Sequence, residues 1–370
     1  MLHKRTVVKF GTNLLTGGTD RLDTGIMSNL TDQVARLYQD GYQILIVTSG
    51  AVTAGRARLQ LTKEDRNIPF KQVLASLGQS QLMQIYENLL DRHGIKVAQA
   101  LLTRQDMMSR AGYLNARNTL LALIELGVVP IINENDVVAT EELQMARFGD
   151  NDNLSAMVAT LVDANLLILL TDIDGLYTAD PRHNPKAKLI PVIEKIDSKI
   201  LRLARGSSSK IGTGGMQTKI QAARLATSCG TAVVIANGFQ QDILIKIAAG
   251  ESAGTLFPPH IGRLQSRERW LISGLSSKGR ITIDAGAVHA IREQNRSLLP
   301  AGIVEVEGKF QRGDVIDIYD NAGNKVGCGI SNYGARDILS IKGAHSSGIN
   351  GILGYGFGSE IIHRNNMVAE

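Results

Sequence analysis

Residues 166–175, LLILLTDIDG, run apolar for five positions and then stop at a threonine, two aspartates and a glycine. A short run that is apolar at every position, without alternation, is buried on both faces, as strands of a parallel sheet are. Runs of similar character recur at Thr6–Phe10, Ile44–Thr48, Val97–Leu102, Val128–Ile132 and Ala232–Ala236. Between them Ile26, Leu30, Val34 and Leu37, and later Leu120, Leu121 and Ile124, fall at helical spacing. The alternation predicts an α/β fold over residues 1–255: a three-layer αβα sandwich with a mostly parallel central sheet.

In such sheets ligands bind beyond the carboxyl ends of the strands. Polar and glycine clusters follow four of the runs: KFGTN (9–13), TSGA (48–51), NEND (133–136) and TDIDG (171–175). One composite cleft is therefore expected. Lys9 ends the first run, where a lysine is out of place in a core, and it is read as facing the cleft. Ser49, with the N–H groups of Gly50 and Ala51, is placed to face an anion.

GTGGMQTK (212–219) supplies a phosphate-shaped element. Its glycines let the backbone approach an anion, and the helical spacing from Met216 puts a helix N-terminus behind the loop. The spacing is not that of the Walker loop, and Gly302–Lys309, the nearest imitation, has one residue too many and ends in Phe310. Residues 182–224, which surround the loop, carry ten Lys/Arg against Glu194 and Asp197. GDNDNLSA (149–156) opens another helical pattern at Leu154, Met157, Val158 and Leu161. One Asp or Asn would cap that helix, so four in succession imply further work.

The character changes after Phe257-Pro258-Pro259. Residues 256–275 read as a packed linker, and 276–370 as a small β-barrel-like domain of short strands divided by Gly-rich turns. That tail is charge-neutral, ten Lys/Arg against ten Asp/Glu, although the whole chain carries +5. Affinity for nucleic acid rests largely on neutralising phosphates, and aromatic residues make up only 4% of the chain. Both features argue against an RNA-binding role. The seven histidines show no metal spacing, and no metal ligands are assigned. Cys229 and Cys328 stand far apart and read as reduced thiols of a cytoplasmic protein without a secretory or membrane-spanning segment.

Taken together, KFGTN, VTSGAV (47–52), LLTRQDM (101–107), NARNTL (115–120), PIINENDVVAT (130–140), GDNDNLSA, LLTDIDGLYTADPR (169–182) and GTGGMQTK resemble the amino-acid kinase superfamily. Their wording and order are most similar to its glutamate-phosphorylating branch. RSLLPAGI (296–303), RGDVI (312–316) and ILGYGFG (352–358) resemble the PUA domain appended to bacterial members. The resemblance implies ATP- and Mg²⁺-dependent phosphorylation of the γ-carboxylate of L-glutamate, the first step of proline biosynthesis. It also implies a homo-oligomer, dimer or tetramer, with proline as feedback inhibitor. Residue by residue, it gives glutamate to Ser49, Asp136 and Asn151, with Gly50 and Asn133 on the same wall. ATP falls to Lys9, Thr171, Asp172 and the loop Thr213, Gly214, Gly215, Met216, Gln217, Thr218 and Lys219. Lys9 and Lys219 flank the transferring phosphoryl group, and Asp150 orients them. Rival readings are another acceptor within the superfamily (aspartate, N-acetylglutamate, carbamate or a nucleoside monophosphate) and RNA binding through the PUA-like tail.

Overall fold

The structure is a computed structural model. It describes residues 5–61, 67–139, 151–181, 183–205, 215–259 and 277–369. Seven strands form one sheet: β1 (Arg5–Phe10), β2 (Gln43–Val47), β3 (Val97–Leu102), β4 (Val129–Glu134), β5 (Leu166–Thr171), β6 (Ala232–Asn237) and β7 (Thr255–Phe257). Their order is β3-β4-β2-β1-β5-β6-β7. Every pair through β6 is parallel, so the carboxyl ends of these strands share one edge of the sheet. Strand β7 is antiparallel to β6. The stretch expected as linker thus begins inside a strand, because Leu256 and Phe257 complete the ladder at the sheet edge.

Alternate residues of the strands face opposite layers. Val8, Phe10, Ile44, Ile46, Ile168 and Leu170 share a core with Leu30 and Val34 of the helix Thr24–Gln39 and with Leu82 and Tyr86 of the helix Ile68–Asp91. Val7, Leu45, Leu167, Leu169 and Val233 are equally buried on the other face. There the helix Asn151–Leu161 packs on β1 and β5, and the helix Met216–Ser228 on β6. Both faces are covered, which makes the three layers. Lys9 shares the parity of Val7, so its side chain enters the layer of the last two helices.

The chain divides into two compact units, Met1–Met108 with Asn115–Arg263, and Ser109–Leu114 with Leu264–Glu370. The second unit has a five-stranded sheet: β8 (Gly279–Ile283), β9 (Ile303–Gly308), β10 (Val315–Asp320), β11 (Lys325–Ile330) and β12 (Met367–Ala369), in the order β12-β11-β10-β8-β9. Its core gathers Ile281, Ile283, Ile316, Ile318, Tyr333 and Ile361. Short helices at Ala285–Arg292, Ala335–Ile341 and Ile349–Leu353 add to it. Segments of five to eight residues hold too few turns for helical periodicity to stand out.

One contact fixes where the turn after β2 sits. The helices Ala51–Arg58 and Ile68–Asp91 meet through glycines: a Cβ on Gly55 would lie 1.9 Å from the carbonyl oxygen of Leu74, and one on Gly78 only 1.8 Å from that of Ala51. No side chain fits there, so the helices must separate if either glycine is replaced. Overpacking of this kind costs about 1–3 kcal/mol. Gly78→Ala is therefore expected to lower the thermal midpoint by roughly 2–4 °C per kcal/mol lost, as a calorimetric melt would measure. An unchanged midpoint would show that the helix pair tolerates the separation.

Candidate active site

Lys9 is only 6% exposed and Lys219 only 5%, although each carries an ammonium group that water would solvate better than a protein interior. Both are held by one carboxylate. Lys9 Nζ lies 2.7 Å from Asp152 Oδ1, and Lys219 Nζ donates to Asp152 Oδ2 at 3.2 Å. Thr218 Oγ1 donates to Asp152 Oδ2 at 2.7 Å. Burial alone would raise the Asp152 pKa. The charges of Lys219 and Lys9, with hydrogen bonds from Lys9 and Thr218, outweigh it and hold the carboxyl well below the usual carboxylate range. Each oxygen of the one carboxylate thus meets one ammonium group.

Three elements make this meeting. The parity of β1 turns Lys9 toward the helix Asn151–Leu161, whose first turn carries Asp152, where a helix dipole favours negative charge. Lys219 sits in the first turn of the helix Met216–Ser228, capped by Gly215. Gly11 follows the strand end closely: a Cβ there would come within 3.3 Å of Lys9 Nζ.

Asn151, one residue before Asp152, opens a second polar chain. Its Nδ2 donates to Ser49 Oγ at 2.8 Å and to Asn133 Oδ1 at 3.3 Å. Asn133, buried at the end of β4, donates from Nδ2 to Gln79 Oε1 at 2.8 Å. Ser49 follows β2, and Gly50 caps the helix Ala51–Arg58 with φ 102°, a left-handed conformation that favours glycine. The turn is pinned from behind, because Thr48 Oγ1 and Tyr86 OH lie 2.7 Å apart in the core. Burial pushes the Tyr86 hydroxyl pKa up, which keeps it neutral.

The remaining expected residues divide by position. Thr171 ends β5, buried, and its hydroxyl donates to Asp172 Oδ1 at 3.0 Å, while Asp172 is exposed. Asp136 lies in the turn after β4, where burial pushes its carboxyl up to about 6. The Met216 side chain is buried, leaving its backbone as the group it can offer, and Gln217 is half-buried. Asp150, Thr213 and Gly214 lie outside the described residues. Among the described residues, Asp152 meets both lysines. GDNDN presents two aspartates two residues apart, and its spacing alone does not single out Asp152. Gln79 carried no signal, being one of several polar residues along the helix Ile68–Asp91.

Asp152→Asn keeps the shape of the side chain and removes the charge that both buried ammonium groups meet. Breaking a buried pair from one side costs about 3–5 kcal/mol. The variant is expected to lose that much stability in a urea titration, and a loss below about 1 kcal/mol would mean that the lysines find other partners.

The sequence model of the Amino acid kinase family matches residues 4–237, and that of the PUA domain matches 279–353. A protein of Dehalococcoides mccartyi named glutamate 5-kinase is 55% identical over 366 residues, spanning 99% of this chain and 98% of that one. Proteins of the same name from Herpetosiphon aurantiacus and Deinococcus radiodurans are 51% and 47% identical, each spanning 99% of its own length and 100% and 98% of this chain. The strand ends that gather Lys9, Ser49 and Asn133, the helix start that brings Asp152 to Lys219, and these matches lead to one conclusion: the chain belongs to the amino acid kinase family and carries a C-terminal PUA domain.

Proposed function

We propose that this chain is a glutamate 5-kinase, transferring the γ-phosphoryl group of ATP to the γ-carboxylate of L-glutamate as the first step of proline biosynthesis. The observation that carries the reading is the continuity of two clusters. The Lys9–Asp152–Lys219 bridge and the Asn151–Ser49–Asn133 chain share one helix start, so a cation pair suited to phosphates adjoins a polar wall suited to an amino acid.

The γ-carboxylate, with a reference pKa near 4.3, is ionised at neutral pH and needs no general base. One of its oxygens forms the bond to phosphorus as the bond to the β,γ-bridging oxygen breaks, leaving glutamyl 5-phosphate and ADP. The obstacle is an anion approaching a polyanion. Lys9 and Lys219 oppose that repulsion, and Asp152 keeps their ammonium groups aimed without cancelling both charges. The first-turn N–H groups after Gly215 offer donors for phosphate oxygens. Ser49, Asn151 and Asn133 orient the acceptor, and Asp136 supplies a carboxylate for its ammonium group. Among the described residues no three His, Cys, Asp or Glu side chains gather as a metal cage. Mg²⁺ in this reading is bound through the nucleotide's phosphates and water, where it neutralises phosphate charge. Proline as feedback inhibitor, a homo-oligomeric assembly and a cytoplasmic location belong to the same proposal. Among the described residues no helix is long and apolar enough to cross a membrane.

A hydroxylamine trap tests the reading. With MgATP and L-glutamate the protein is expected to yield γ-glutamyl hydroxamate, and none with aspartate or N-acetylglutamate. Product from another acid alone would overturn the substrate. Lys9→Ala and Lys219→Ala are each expected to lower kcat by about 10²–10³, with near-normal turnover removing that lysine from the mechanism. The pH dependence has a definite sign. Asp136 binds an ammonium group only when ionised, and its carboxyl is raised to about 6 in the free protein. The KM for glutamate should therefore climb as pH falls through about 6, and a flat profile would separate Asp136 from the substrate. The same group makes the free protein lose stability as pH rises from about 4 to about 6, because the folded state holds this proton more tightly.

A further inference from the structure

We infer that Gln79 is a specificity-determining residue of the acceptor site, donating its outward N–H to the α-carboxylate of the amino acid. The inference rests on the glutamate reading and extends it to a helix that supplies none of the residues assigned so far.

The hydrogen bonds around Asn133 form a directed chain. Asn151 Nδ2 donates to Asn133 Oδ1, and Asn133 Nδ2 donates to Gln79 Oε1. Each amide is thus oriented by its neighbour, and the chain has two loose ends of opposite kind. Gln79 Nε2 is a buried donor with no acceptor among the described residues, and Asn151 Oδ1 is a buried acceptor with no donor. A buried polar group left without a partner costs about 1–3 kcal/mol, so two on one short chain require an explanation.

The α-carboxylate of an amino acid supplies the acceptor that Gln79 Nε2 lacks. Connectivity sets its place. Asn151 adjoins Asp152 and its lysines, so the Gln79 end is the one farther along the chain from the reacting groups, where glutamate carries its α-substituents. The backbone packing is consistent with this role. Gly78 lets the helix Ile68–Asp91 press its backbone against Ala51, two residues past Ser49, and the next residue on that helix is Gln79. The closeness of the helices is what brings a glutamine side chain to the end of β4.

The test is steady-state kinetics of the full chain with the hydroxamate readout, comparing Gln79→Glu and Gln79→Ala with the parent. Gln79→Glu is isosteric: it preserves the acceptor for Asn133 Nδ2 and replaces only the outward N–H, with an oxygen. For both variants the KM for glutamate is expected to rise about 10- to 100-fold, the range for one lost hydrogen bond to a charged group. The KM for ATP should not move, and kcat should stay within about threefold of the parent. A glutamate KM within twofold of the parent in Gln79→Glu would overturn the inference. So would a parallel rise in the ATP KM, which marks a general structural defect. A parent enzyme that forms no hydroxamate would instead sink the glutamate reading itself. If Gln79→Ala does not fold, the isosteric variant alone decides.

Discussion

The carboxylate of Asp152, fully buried between the ammonium groups of Lys9 and Lys219, is the interaction on which the rest of the site depends. A buried ammonium group is costly without an anion, and this carboxylate offers one oxygen to each lysine. In the proposed reaction the same three side chains carry both stability and function. The cations are ordered by folding, which in that reading spares rearrangement when phosphate binds.

A second constraint is the packing of two helices without side chains between them. Gly55 and Gly78 bring the helix Ala51–Arg58 against the helix Ile68–Asp91 at backbone distance. That contact, with Thr48 and Tyr86 behind it, sets the position of Ser49 and Gly50 relative to Gln79 and Asn133. The polar wall proposed for the acceptor therefore draws on β2, β4 and two helix starts, and its geometry depends on glycines packed outside it. The five-stranded unit has a core of its own, drawn from residues of that unit.

Much of the fold was legible in the chain. Unbroken apolar runs such as LLILL mark strands buried on both faces, and the six runs read from sequence all fall on strands of the parallel sheet, with ends within two residues. Strand β7 escaped because three residues next to two prolines carry no periodic signal. Part of the site was legible as well: Lys9, Ser49, Asn133, Asn151, Thr218 and Lys219 come together in two linked clusters. Asp152 was visible within GDNDN but not distinguishable from Asp150, and Gln79 had no mark at all.

Sequence alone determined the layers, the parallel sheet and the edge on which the site lies, because hydrophobic periodicity and strand-end chemistry are local properties. Tertiary structure alone showed that Asp152 meets both lysines and that Gln79 meets Asn133. Those contacts depend on the phase of a helix about its axis and on the distance between two backbones. Residues far apart in the chain set both, and a short motif does not encode them.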